Sequence, residues 1–343
     1  MNGSDAPVKR VDRTIWLFGL GYFIAYTPYA ALVKALSAGR LPGMAGIDGL
    51  TLLPSVLAGT IVTLPIYVLL LGWRRYACVP SRAVIISGFG TALIIATTTL
   101  AYAFHNISVL FALLLLRGGM LIIAPITDLI GGRRVRWFSS VALVISLSAV
   151  LLGIVATNNH RLTAAAIINL AVYLAGYQIR LPQMTRYAKI EHPETTRTYF
   201  VCEIMVTLVF LALIPLTGAA FGVESLRHGL LLIVSGTATA SVGFLIGVLY
   251  ATLYVFTTLI YLDRRENTFC MSMNVCSSLL AGMAASYALT RVLGMPTPAW
   301  FELTGVGMIM IALMFLSPLH HVPEWVYAAA VQRLPFGHAR KGD

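Results

Sequence analysis

Arg117 sits in the middle of an apolar run, about ten residues and so about 15 Å from either end of the helix that the run predicts. That depth is too great for the side chain to snorkel to a membrane surface. An arginine there costs about 2.5–3.5 kcal/mol on insertion scales, so it must face a polar cavity or a partner. Gly118 and Gly119 beside it let another helix or a ligand come close. Two chemistries fit. One is an anchor or gate that grips an oxyanion with a planar guanidinium; the other is a structural arginine tied to an acid or to backbone carbonyls.

Other polar residues fall into stripes. Asn169, Tyr173, Tyr177 and Arg180 recur at spacings of four, four and three, which puts them on one narrow helix face. Tyr250, Tyr254, Thr257 and Tyr261 repeat the pattern, and Tyr22, Tyr26 and Tyr29 form a shorter version. Tyr26, Tyr173 and Tyr250 fall well below the interfacial belt where tyrosines gather. Their hydroxyls need partners, which a hydrated cavity supplies and which plain helix-to-helix hydrogen bonds supply equally well.

The stripes predict one polar chamber that binds solute through Arg117, Tyr173, Tyr177, Arg180, Tyr26, Tyr250, Tyr254 and Asn274. Lys34, Lys189 and Glu203 are the candidates for gating or coupling. Both lysines lie close enough to a membrane surface to snorkel. Glu203, about 7 Å into its predicted span, is expected to pair with Arg180 or Lys189, with proton coupling as the alternative. Asp128 and the Asp263-Arg264-Arg265-Glu266 turn read as solvated charges at helix ends.

Enzyme chemistry fares badly on position. The seven histidines all fall in loops, span ends or the tail, so none forms an intramembrane haem pair. There is no HExxH zinc motif, no GxSxG elbow, no Walker loop, and no span with paired aspartates for a magnesium diphosphate. Cys78, Cys202, Cys270 and Cys276 show neither a CxxC pair nor metal spacing and read as packing residues. No cofactor, metal or catalytic residue is expected.

The elements that must position these residues are membrane helices. Charged residues make up 11% of the chain and apolar types 58%, far too few charges to clothe a soluble surface. Ten runs are long enough to cross the hydrocarbon: 14–36, 50–72, 82–104, 107–130, 136–156, 162–184, 198–220, 229–262, 268–291 and 299–318. The first follows Lys9, Arg10 and Arg13 and reads as an uncleaved span, being too long for a signal peptide. The eighth is too long for an upright helix, and Gly236, Gly243 and Gly247 within it predict tilt or a break. Past 318, Pro323–Leu334 with Trp325 and Tyr327 predicts an interfacial helix.

The net charge of +11 comes from short clusters between runs, a cytoplasmic-loop pattern that argues against nucleic acid. Alternate connections carry Lys9, Arg10 and Arg13; Arg74, Arg75 and Arg82; Arg133, Arg134 and Arg136; Arg186, Lys189 and Arg197; and Arg264 and Arg265, while the tail adds Arg333, Arg340 and Lys341. The opposite side has only Arg40, Arg161, Arg227 and Arg291. Both termini are therefore expected inside. The layout is a cytoplasmic segment 1–13, a five-helix half 14–156, a second half 157–318 and a cytoplasmic tail 319–343. Some internal similarity supports inverted halves: Pro28 and Lys34 against Pro182 and Lys189, then Gly59-Thr60-Ile61-Val62-Thr63-Leu64 against Ile204-Met205-Val206-Thr207-Leu208.

With that five-plus-five layout and the passage Leu121-Ile122-Ile123-Ala124-Pro125 through Gly132-Arg133-Arg134-Val135, the chain resembles the drug/metabolite transporter superfamily over roughly 14–318. That ten-helix group includes EamA-like exporters and nucleotide-sugar carriers. Many of its exporters carry a glutamate beside the arginine of that turn, and Gly131-Gly132-Arg133-Arg134 has none, which leaves the subfamily open. The resemblance implies a secondary transporter or exchanger in a bacterial inner membrane, working by alternating access. The excess of buried cations over carboxylates points to a small anion or a lipid-phosphate head group, in contact with membrane lipids and with room for a homodimer. Two rivals stay open: a non-catalytic assembly or scaffold subunit, and a membrane-embedded lipid-modifying transferase.

Overall fold

The computed structural model describes residues 5–104, 107–130, 137–156, 163–187, 193–263 and 267–316. Every regular element among them is helical. The order is α1 Asp5–Ser37, α2 Gly49–Leu70, α3 Arg82–Ala103, α4 Val109–Ile130, α5 Trp137–Ala156, α6 Ala164–Tyr187, α7 Pro193–Ala220, α8 Glu224–Val234, α9 Ala238–Tyr261, α10 Asn267–Leu293 and α11 Trp300–Leu316, with a 3₁₀ turn Trp73–Tyr76 after α2. Among the described residues seven helices are long and apolar enough to cross a membrane: α1 from Thr14, α2, α3, α6, α7, α9 and α10. The apolar stretches of α4, α5 and α11 (Val109–Leu121, Val141–Val155 and Trp300–Met314) are shorter. Leu17, Ile24, Leu70, Ile168 and Met314 stand exposed on the outer surface, as they must if lipid is the solvent. The chain is an all-helical membrane protein.

Taking α1 from Thr14, the apolar runs match these helices to within a few residues, with two informative departures. The run 229–262 is two helices, α8 and α9. Gly236 at φ 63° takes the left-handed conformation that ends a helix, and Thr237 opens the next by accepting the Ala240 amide at 3.2 Å. Second, α7 starts at Pro193, five residues before the predicted span. Glu203 is thus about 15 Å into its helix rather than about 7 Å. Lys189, the Gly131–Arg136 turn, Arg264–Glu266 and the tail, including 323–334, lie outside the described residues.

The helices pack in two interleaved groups. α1 and α2 lie against α9, while α3 lies against α6 and α7; α4 and α5, with α10 and α11, close the bundle. Close crossings explain the pairing. A Cβ added to Gly59 would stand 2.1 Å from the Phe244 carbonyl oxygen, and one on Gly247 would stand 2.1 Å from that of Val56. The Thr60 hydroxyl donates to the Gly247 carbonyl at 3.1 Å across this α2–α9 contact. The α3–α7 crossing repeats the device, Thr207 donating to the Gly88 carbonyl at 3.3 Å. In lipid, where burial of apolar surface drives little, such approach and bonding hold helices together.

Gly247→Val should therefore part α2 from α9 and destabilise the fold by at least the roughly 1–3 kcal/mol usual for overpacking, because the obstacle is backbone. Gly307→Ala, on α11 with nothing within 4 Å, should be neutral or mildly stabilising. Thermal unfolding in detergent reads both.

Candidate functional site

Arg117 is buried at the core of the bundle, 3% exposed. Its Nη1 donates to the Tyr173 hydroxyl at 3.0 Å and more weakly to Tyr177 at 3.5 Å, both on α6, and Nη2 donates to Tyr22 on α1 at 2.9 Å. The guanidinium carbon stands 5.9 Å from the centre of the Tyr26 ring. Met120 Sδ accepts from Nη1 at 3.5 Å and from the Tyr173 hydroxyl at 3.4 Å. Among the described residues no carboxylate reaches Arg117, and its Nε–H, fully buried, has no acceptor. Asp128 is eleven residues on, about 16 Å along the helix. Gly118 and Gly119 admit helices: Gly118 faces Val150 of α5 and Gly119 faces Leu174 of α6.

Tyrosines extend the site along α1. Tyr26 shares a short hydrogen bond with Tyr102 of α3, and Tyr29 bonds Thr99 of α3 at 3.1 Å. Tyr250 of α9 lies edge-on to Tyr29, ring centres 5.1 Å apart.

The predicted stripes do not all reach Arg117. One turn past Tyr177, Arg180 leaves the group and grips Glu203 of α7 through two parallel bonds, Nε to Oε1 at 3.0 Å and Nη2 to Oε2 at 3.1 Å. Nη2 also donates to Thr258 at 3.0 Å. Glu203 accepts further bonds from Ser87 at 2.7 Å, Thr91 at 3.0 Å and Tyr254 at 3.2 Å. Asn274 donates to Thr257 at 3.1 Å and accepts from Tyr261 at 3.3 Å. Asn169 bonds the Thr97 carbonyl at 3.0 Å, leaving its own Oδ1 without a partner among the described residues.

Contacts among the described residues sort the stripe residues into neighbouring groups: Tyr173, Tyr177 and the Tyr26 ring on Arg117, Arg180 and Tyr254 on Glu203, Tyr250 by Tyr29, and Asn274 on Thr257. The cause is geometric. Three residues advance a helix by about 4.5 Å, enough to bring Arg180 under the reach of α7 instead of α4. Lys34 does not snorkel. At 4% exposure its Nζ donates to the carbonyls of Phe104 at 2.7 Å and Ile107 at 2.6 Å, tying α1 to the turn after α3.

Several site residues escaped the stripes, above all Tyr102, Thr99, Ser87, Thr91 and Thr258. Helical spacing could have found three of them, because Ser87, Thr91 and Tyr102, with Thr98, fall within about 60° on one face of α3. A repeat carries the same message. Thr98-Thr99-Leu100-Ala101-Tyr102 on α3 matches Thr257-Thr258-Leu259-Ile260-Tyr261 on α9, 159 residues later. The matched threonines Thr99 and Thr258 hold Tyr29 and Arg180 respectively. Those two in turn end stripes of identical spacing, Tyr22-Tyr26-Tyr29 and Tyr173-Tyr177-Arg180, 151 residues apart.

At the end of α2, Arg197 of α7 donates to the Tyr76 hydroxyl at 3.1 Å, as does Arg75. Hydrogen bonds first from Arg197 and then from Arg75 hold the Tyr76 phenol below its ordinary pKa. Beside them the Cys202 thiol donates to the Cys78 carbonyl at 3.6 Å. Mild oxidation of the intact chain should join these two cysteines, read after denaturation as the loss of two maleimide-reactive thiols without dimer formation, since Cys202 is buried in the fold. Comparison with known protein families and with curated proteins gives no match to this chain.

Proposed function

We propose that the chain is a secondary carrier for a small anionic solute, working by alternating access in a plasma membrane with both termini cytoplasmic. The observation that carries the reading is the place of Arg117. A buried guanidinium bridges Tyr22 of α1 and Tyr173 of α6, the matched tyrosines of two matched stripes, with no carboxylate to balance it among the described residues. An uncompensated buried charge is costly, and a site that exists to hold an anion is the economical reason to keep one.

Inverted five-helix halves, α1–α5 and α6–α11 with α8 as an extra segment, give ten crossings and account for the pairing. Exchange α1 with α6, α2 with α7, α3 with α9, α4 with α10 and α5 with α11. The α2–α9 contact then becomes α7–α3, α3–α6 becomes α9–α1, and α1–α10 becomes α6–α4, all of which occur. The Thr60–Gly247 bond becomes Thr207–Gly88, and Tyr29–Thr99 becomes Arg180–Thr258. Carriers of this plan hold their solute where the repeats meet.

The groups that rock are then α1–α2–α9 and α6–α7–α3, and Arg117 of α4 touches a tyrosine from each. Bonds between the groups form two closures. One is Tyr26–Tyr102, Tyr29–Thr99 and Lys34 on the Phe104 carbonyl; the other is Arg180–Thr258 and Glu203–Tyr254. With the N-terminus inside, the first faces outward and the second the cytoplasm. Lys34 and Glu203 act in gating through these bonds.

Purified alone into liposomes, the chain should exchange a labelled organic anion across the bilayer. A scaffold subunit would do nothing until its partner was supplied, and a transferase would consume a lipid donor. Either result removes the carrier reading.

A further inference from the structure

Arg180 shows how this protein satisfies a buried guanidinium: a carboxylate lies along its Nε/Nη2 edge and takes two parallel bonds. The same edge of Arg117 carries a bare Nε–H and, at Nη2, the neutral oxygen of Tyr22, with the Tyr26 phenol beside the guanidinium. A phenol oxygen is a weaker acceptor than a carboxylate, which takes two parallel bonds from the fork and cancels its charge. From this contrast we infer that the Arg117 site takes a monocarboxylate on a flat aromatic body, seated on the Nε/Nη2 edge as Glu203 is on Arg180. The inference deepens the carrier reading and rests on it.

Charge sets the valence. Arg180 is already neutralised by Glu203, and Lys34 is twelve residues beyond Tyr22, about 18 Å along α1 and engaged by carbonyls. Among the described residues one positive charge therefore remains at the centre, and one carboxylate cancels it. A dicarboxylate or a phosphate dianion would leave an unpaired negative charge in the same enclosed place, at the full desolvation cost.

The walls set the body. Tyr22 and Tyr26 pack with ring centres 5.2 Å apart, Tyr173 and Tyr177 with centres 5.0 Å apart, and each pair comes from a different rocking group. A flat ring entering between the pairs meets aromatic edges and faces, which favour stacked and edge-on contacts. The Tyr22 hydroxyl, released from Nη2 by the carboxylate, is free to donate to it. All four tyrosines are at most 5% exposed, which suits a compact solute and not a two-chain lipid.

The test uses the full-length protein in a neutral detergent at neutral pH and constant ionic strength. The probes are sodium benzoate, phthalate, inorganic phosphate and a short-chain phosphatidylglycerol. Benzoate should raise the thermal midpoint, and its apparent affinity should be at least about tenfold above that for phthalate or phosphate, by mass action on the folded state. Arg117→Gln should abolish the benzoate shift, while Arg117→Lys should keep a reduced one. Stabilisation by phthalate, phosphate or the phosphatidylglycerol in preference to benzoate overturns the inference, as does no response to benzoate. Liposomes separate the two levels. Arg117-dependent uptake of phthalate or phosphate overturns the ligand class and leaves the carrier standing; benzoate bound but never moved overturns the carrier and leaves the ligand class.

Discussion

Arg117→Ala should lower anion exchange in liposomes by about 100-fold or more while leaving most of the protein folded. On the proposed carrier reading, two parallel charge-assisted bonds to the solute would be lost, each worth about 1.5–3 kcal/mol, and every 1.4 kcal/mol is about a factor of ten. The fold loses less. Tyr22, Tyr173 and Tyr177 each forfeit a donor, but the variant also removes a buried charge that no carboxylate among the described residues balances. Arg117→Lys retains the charge without the planar edge, so exchange should recover in part. Initial rates per folded protein, with unfolding midpoints beside them, make the check. An alanine variant that aggregates would mark Arg117 as a structural residue instead.

Glu203→Ala should have the largest effect on stability. It strips Arg180 of both parallel bonds and removes the acceptor for Ser87, Thr91 and Tyr254 together. Breaking one side of a buried pair costs about 3–5 kcal/mol, because the remaining charge stays buried and unpaired. The double change Arg180→Met with Glu203→Leu should recover much of that loss, since a well-packed apolar pair often equals a buried ion pair. A double-mutant cycle on unfolding midpoints measures the coupling. If Glu203→Gln leaves the midpoint unchanged and removes only proton-driven uptake, its role is coupling rather than pairing.

Apolar runs located the helices because lipid imposes a length and a composition on anything that crosses it. The burial of Arg117 and its meeting with Tyr173 and Tyr177 were legible for a related reason: polar groups at that depth have to find one another. What periodicity on one helix does not carry is the identity of the facing helix. Tyr102 bonds Tyr26 and Thr99 bonds Tyr29 because α3 lies across α1, a relation between residues seventy or more positions apart. Lys34 was misread for the same reason. Snorkelling assumes lipid beside the side chain, and the turn after α3 covers it instead. For 229–262 the glycines raised tilt and breakage together. Only the left-handed backbone at Gly236 with the Thr237 cap decides for breakage.

The α2–α9 crossing also sets a timetable for biogenesis. Thr60 finds its partner 187 residues downstream, and Gly59 meets the same helix, so when α2 enters the bilayer its glycine face has nothing to close against. At about 5–20 residues per second, synthesis of α9 follows roughly 10–40 s later. During that interval the nascent chain presents a bare backbone groove to whatever helices share the translocation site. A ribosome-bound chain truncated before α9 should therefore be the form most prone to degradation or to capture by a membrane chaperone. The same interleaving means that severing the chain between α5 and α6 yields two fragments, each missing the third helix of its own group, which can be rescued only by being made together.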